Sequence, residues 1–70
     1  MNRELRHPPY YAISGYEIIA RKSERECADA IGKSLRTYQD KKKGYSDFTK
    51  SEADILSSLL KQPLSLLFVT

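Results

Sequence analysis

Apolar residues recur three and four positions apart along most of this chain. Tyr16, Ile19 and Ala20 fall at i, i+3 and i+4 with Ile18 beside them, which predicts a first helix over about 14–22. Cys27, Ala28 and Ile31 mark the inner face of a second helix. Ser23 and Glu26, three residues apart, form a Ser-x-x-Glu capping box at its start. Gly32 sits where that helix must end, in a positive-φ conformation that glycine adopts at least cost. Ser34 is placed to cap a third helix, with Leu35 and Tyr38 as its apolar contacts and Gly44 as its stop. Thr49 and Glu52 repeat the capping box, and Phe48 is placed to staple onto Ala53. The fourth helix then runs through Ala53, Ile55, Leu56, Leu59 and Leu60. It should stop by Gln62, because Pro63 lacks a donor and clashes with the preceding turn. Residues 64–70 fit either a short helix or an extended strand.

The remaining segment, residues 1–11, reads as an arm, leaving 12–70 as the folded domain. His7-Pro8-Pro9 resists helix formation, since a residue before proline is pushed out of the α region. Arg3 and Arg6 are candidates to reach a phosphate or a minor groove. The competing expectation is an arm that is mobile, or one that lies on the body with Tyr10 and Tyr11 as anchors. Seventy residues make one domain, and for so short a chain three or more packed helices are the least costly core. The fold class expected is therefore all-α, a compact bundle of four or five helices.

Residues 23–43 are two short helices joined by a glycine turn, the usual device for presenting one helix to the DNA major groove. Charge sharpens this reading. The net charge is only +3, but residues 33–43 carry Lys33, Arg36, Lys41, Lys42 and Lys43 against Asp40 alone, or +4. Residues 23–32 carry Arg25 against Glu24, Glu26 and Asp29, or −2. A lysine run is often just a solvated face, but a basic stripe on one helix is also the footprint of phosphate binding. On this reading Leu35, Arg36 and Gln39 face base edges, with Asp40 one turn on from Arg36. Arg36 suits guanine, Gln39 adenine and Leu35 a thymine methyl. Lys33, Lys41, Lys42, Lys43 and Lys50 suit phosphates, as do the Ser34 and Thr37 hydroxyls. Each has a competing structural use: Arg36 paired with Asp40, Leu35 buried against the fourth helix, Tyr38 in the core, Ser34 as a cap.

Other chemistry finds little support. His7 has no Cys or His partner at metal-ligand spacing, no glycine-rich phosphate loop follows a strand, and no nucleophile is paired with a base. No catalytic residue, metal or cofactor is expected. Cys27 cannot form an internal disulfide and falls on an apolar face, which suits a small core residue in a reducing cytoplasm. No signal peptide is evident, and no apolar run approaches the roughly 20 residues that span a bilayer.

The pattern Ser23-x-x-Glu26-x-Ala28-x-x-Ile31-Gly32-x-Ser34-x-x-Thr37-Tyr38, followed by Gly44, resembles the Cro/cI-type helix-turn-helix family, also called lambda-repressor-like or XRE-type. The resemblance covers about 16–68. The stretch Gly44 to Glu52, the Leu-rich helix after it and the C-terminal Leu67-Phe68 look like small Cro-like regulators of temperate phages of Gram-positive bacteria. It implies a regulator of lysogenic or lytic promoters in the bacterial cytoplasm, often a dimer on palindromic operators. By position, Leu35, Arg36 and Asp40 fall where family members contact bases, and Ser34, Thr37 and Lys43 where they contact phosphates or support the contact. As the alternative, the resemblance permits an antirepressor or modulator that binds a partner repressor protein. Leu35, Asp40 and Tyr45 suit a protein surface better than a phosphate-lined groove. Three lysines depart from the family pattern. Lys33, Lys41 and Lys42 replace residues that are often apolar, and the long stems of the latter two are expected to cover apolar surface while their charges reach water. The loop after Gly44 lacks the basic residues that often grip phosphates. Leu64, Leu66, Leu67, Phe68 and Val69 are apolar enough to form a homodimer surface over 63–70 or to fold back and close the core.

Overall fold

The computed structural model describes residues 4–69, so Arg3 lies outside the described residues. Five helices follow one another: α1 (Tyr11–Ala20), α2 (Glu24–Ala30), α3 (Leu35–Lys43), α4 (Lys50–Leu60) and α5 (Leu64–Leu67). No strand occurs among the described residues. The segment after Pro63 takes the helical alternative.

Local chemistry sets most of the boundaries. The Ser23 Oγ accepts from the Glu26 amide at 3.0 Å while Glu26 reaches back to the Ser23 amide at 3.1 Å. Thr49 and Glu52 repeat the arrangement at 3.1 and 3.0 Å. Ser34 caps α3 by accepting from the Thr37 amide at 3.1 Å. Such caps satisfy amides that have no partner within the helix. Gly32 (φ 72°) turns the chain between α2 and α3, and Gly44 (φ 103°) ends α3. Two helices end in the left-handed region without glycine: Arg21 and Lys61 both adopt φ 57° just past α1 and α4.

The start of α1 differs from the sequence expectation. It begins at Tyr11, not near Ser14, because the constraint of Pro8-Pro9 ends there and the Tyr10 amide is already bonded to the Lys42 carbonyl at 2.9 Å. The inward stripe is consequently Ile13, Tyr16, Glu17 and Ala20. Ile19, expected inside, is 72% exposed, and Ile18 is 78% exposed. A carboxylate, Glu17, occupies the place an aliphatic residue would take.

The core joins Ile13, Cys27, Ala28, Ile31, Tyr38, Leu56, Leu60 and Leu67. Leu67 is fully buried, and α5 packs on both α1 and α4, so the C-terminal segment closes the core. An aromatic cluster flanks it. Phe48 and Phe68 meet edge to face at 5.4 Å, Tyr10 and Phe68 at 5.0 Å, and Tyr38 and Phe48 at 6.1 Å.

The arm lies on the body. The Arg6 and His7 amides both donate to the Gly44 carbonyl. The His7 ring stacks on Tyr10 at 4.2 Å and approaches the Ser46 carbonyl at 3.0 Å through Nε2. Tyr10 is the anchor; Tyr11, also expected to anchor, is 79% exposed. Glycine at position 44 is thus required twice, by its φ and by the His7 carbonyl, which stands where a Cβ would be. Gly32 needs its φ, but nothing lies within 4 Å of a Cβ there. Gly44→Ala should therefore lower stability by about 2–3 kcal/mol and Gly32→Ala by only about 1 kcal/mol. Urea denaturation of the two variants side by side checks the ranking.

Candidate recognition surface

Helices α2 and α3, packed closely around the Gly32 turn, form the helix-turn-helix, and α3 leaves one face to solvent. Arg36 dominates that face, its side chain 81% exposed and its Nε 3.9 Å from an Asp40 carboxylate oxygen. Both expected uses of Arg36 are therefore compatible with one rotamer, since so long and exposed a pair is weak. Lys43 is exposed and Leu35 is half-buried. Ser34 and Thr37 are bonded to each other, hydroxyl to hydroxyl, at 2.9 Å. Gln39 donates to Glu24 on α2 at 3.3 Å. Lys33, exposed, has its ammonium 4.0 Å from Glu52, and Lys50 pairs with Asp54 at 3.4 Å.

Lys41 and Lys42 stand elsewhere. Placed as phosphate contacts by the sequence reading, both are buried, and their ammonium groups are paired within the fold. Lys41 donates to the Asp47 carbonyl at 2.7 Å and pairs with Glu52 at 3.0 Å. Lys42 meets Glu17 at 2.9 Å, Glu24 at 2.9 Å and the Ser14 hydroxyl at 3.1 Å. The physical reason is their register: both occupy inward positions on α3, and α1, α2 and α4 each supply a carboxylate to meet them. The Tyr38 hydroxyl donates to the other oxygen of Glu17, and the Lys42 ammonium lies 5.2 Å from the Tyr38 ring centre. Arg6 is likewise committed, to Asp47 at 2.8 Å.

Glu17 is the member of this network that pattern reading missed. Its signal was present: it falls one turn after Ile13 and within the inward stripe that continues to Ala20. The paired lysines in apolar register were the second half of that signal.

The environment shifts several groups. Glu24 is held below the usual carboxylate range, chiefly by its hydrogen bond from Lys42, against a smaller effect of burial. Burial alone would raise Glu52, but the Thr49 amide and Lys41 together outweigh it and the net shift is downward. Burial, then the bond to Glu17, pushes the Tyr38 phenol far above its usual range. Burial also raises the Cys27 thiol.

No protein-family model matches this chain, and no curated protein does. Among solved structures, it is similar in fold to the clp gene regulator ClgR from C. glutamicum. The TM-score is 0.68 at 14% identity, over 83% of this chain and 75% of that one. At that identity the likeness concerns the fold.

Two predictions follow from the buried charges. Lys42→Met strands Glu17 and should cost about 3–5 kcal/mol. Adding Glu17→Gln should restore much of that, because glutamine still accepts from Tyr38; a double-mutant cycle by urea unfolding measures the coupling. The second concerns acid. Glu24 and Glu52 titrate lower in the folded state than when unfolded, so the unfolded chain binds more protons as pH falls. Their stabilisation is complete above the unfolded carboxyl value of 4.5 and is lost as pH falls through the lower folded values. The urea midpoint should hold steady from about pH 7 to about pH 5 and then drop, and Glu52→Gln should make the drop shallower.

Proposed function

We propose that this protein is a small transcription regulator of a phage-type lysis/lysogeny switch. It acts through the exposed face of α3 on a partner repressor protein, as a modulator or antirepressor. The observation that supports a protein target is the fate of the basic stripe. Of the five cations on residues 33–43, Lys41 and Lys42 are spent on Glu17, Glu24 and Glu52 inside the fold. The face that remains mixes Arg36 and Lys43 with Asp40, the half-buried Leu35, and Gln39 tethered to a carboxylate on α2. A half-buried leucine and Tyr45 inside a mixed-charge rim match the anatomy of a protein interface.

A second reading, direct operator binding in the Cro-like manner, draws on one specific observation: Arg36, its side chain 81% exposed, stands at the start of the helix that this motif sends into the major groove. On that reading Ser34, Thr37 and Gln39 support Arg36, while Lys33, Lys43 and Lys50 provide the phosphate contacts. A homodimer remains compatible with Leu64, Leu66 and Val69, which stay exposed around the buried Leu67.

Fluorescence anisotropy separates the two targets. The protein is titrated onto a labelled duplex from its own upstream region at two salt concentrations, alone and with the repressor of the same switch. The expected result is no preference over a scrambled duplex when alone, and a changed repressor–operator titration when both are present. Leu35→Ala should weaken that effect. Tight, selective binding by the protein alone that weakens steeply with salt and is lost in Arg36→Ala would establish the operator-binding reading instead.

A further inference from the structure

We infer that the groove between the C-terminal ends of α1 and α4 is a second docking surface. Its occupant is an apolar segment of a partner protein flanked by acidic residues. The groove, about 580 Å³, is lined by Ile19, Ala20, Leu59 and Leu60 with Lys22 and Lys61 on its rim. No residue of α2 or α3 lines it, so this surface is separate from the recognition face.

Three observations carry the inference. First, Ala20, Leu59 and Leu60 serve the core as well as the groove, but Ile18 and Ile19 are not needed by the fold. The inward stripe of α1 is met by Ile13, Tyr16, Glu17 and Ala20, which leaves Ile18 and Ile19 adjacent and both more than two-thirds exposed. Any polar residue would serve there, yet two large β-branched residues stand side by side. Second, the helices that form the groove carry further exposed apolar residues: Ile18 beside Ile19 on α1, and Ile55 one turn before Leu59 on α4. That spread suits a polypeptide segment better than a small molecule, and matches the helix-in-groove mode of recognition. Third, the lining contains two lysines and no carboxylate, and the exposed Arg21 sits at the end of α1 beside them. Among the described residues Lys22 pairs at a distance, with Glu26 at 4.0 Å. A second copy of this chain seated by a two-fold axis would bring the same cations against each other, because such an interface is self-complementary. An acidic flank meets them with opposite charge.

The test is a titration of the isotopically labelled protein, followed by amide NMR shifts, with a short helical peptide. The peptide carries leucines at i, i+3, i+4 and i+7 and glutamates at both ends. A twin peptide carries lysines in place of the glutamates. Shifts should cluster at residues 18–22 and 58–62, and the acidic peptide should bind on the order of tenfold more tightly at low salt. Ile19→Ser should abolish binding without unfolding the protein, since Ile19 is exposed. The Lys22→Glu, Lys61→Glu variant should reverse the preference between the peptides. Equal binding of both peptides, shifts centred on α3, or no shifts at millimolar peptide would overturn the proposal. So would dilution-dependent shifts at Ile18 and Ile19 without peptide, which would assign the face to a second copy. Arg36→Ala should leave peptide binding unchanged, so failure here is distinguishable from failure of the α3 reading.

Discussion

Glu17 on α1 and Lys42 on α3 meet at 2.9 Å with almost no solvent around either side chain. Most of the arrangement depends on that contact. Two buried charges are tolerated only when paired and surrounded by further hydrogen bonds. Tyr38, Ser14 and Glu24 supply those bonds, and no buried side-chain polar atom among the described residues lacks a partner. Because the participants come from α1, α2 and α3, satisfying the pair fixes the relative placement of three helices. Lys41, next in sequence, extends the same device to α4 through Glu52. Two consecutive lysines in the last turn of α3 therefore clamp it to the other helices, at the helix end where the backbone dipole favours positive charge.

The clamp explains how the chain combines a small core with a firmly placed α3. Few aliphatic side chains are wholly buried, and a chain of this size gains limited stability from them. A satisfied polar network adds specificity of placement, since α3 cannot slide or rotate without leaving a charge unpaired. The arm contributes at the same end of α3. It binds the Gly44 carbonyl through two amides and enters the aromatic cluster through Tyr10, so the end of α3, the loop before α4 and the C-terminal Phe68 are held together.

The clamp also alters the electrostatic character of the surface. Charge counted along the sequence makes α3 strongly basic, whereas charge counted by exposure leaves Arg36 and Lys43 beside Asp40, with Lys33 at the turn. Formal charge bears on a ligand only when it is not already compensated inside the fold. Exposed apolar surface lies on the outer side of α1, at Ile18 and Ile19.

By itself the sequence determined α2, α3 and α4 and their ends. Capping boxes at Ser23 and Thr49, the Ser34 cap, the two positive-φ glycines and Pro63 act through neighbours a few residues away, so they are legible without the fold. It also determined that Cys27, Ala28, Ile31, Tyr38 and Leu56 face inward, because helical periodicity is a local property. Tertiary structure decided the rest. Whether Lys41 and Lys42 are surface charges or buried ones depends on carboxylates 11 to 25 residues distant in sequence. Whether Ile13 and Glu17 or Ile18 and Ile19 turn inward depends on where α1 begins, which the contact between Tyr10 and Lys42 helps to set. These outcomes rest on which side chains meet across helices, and burial reverses the meaning of a charge only once that meeting is made.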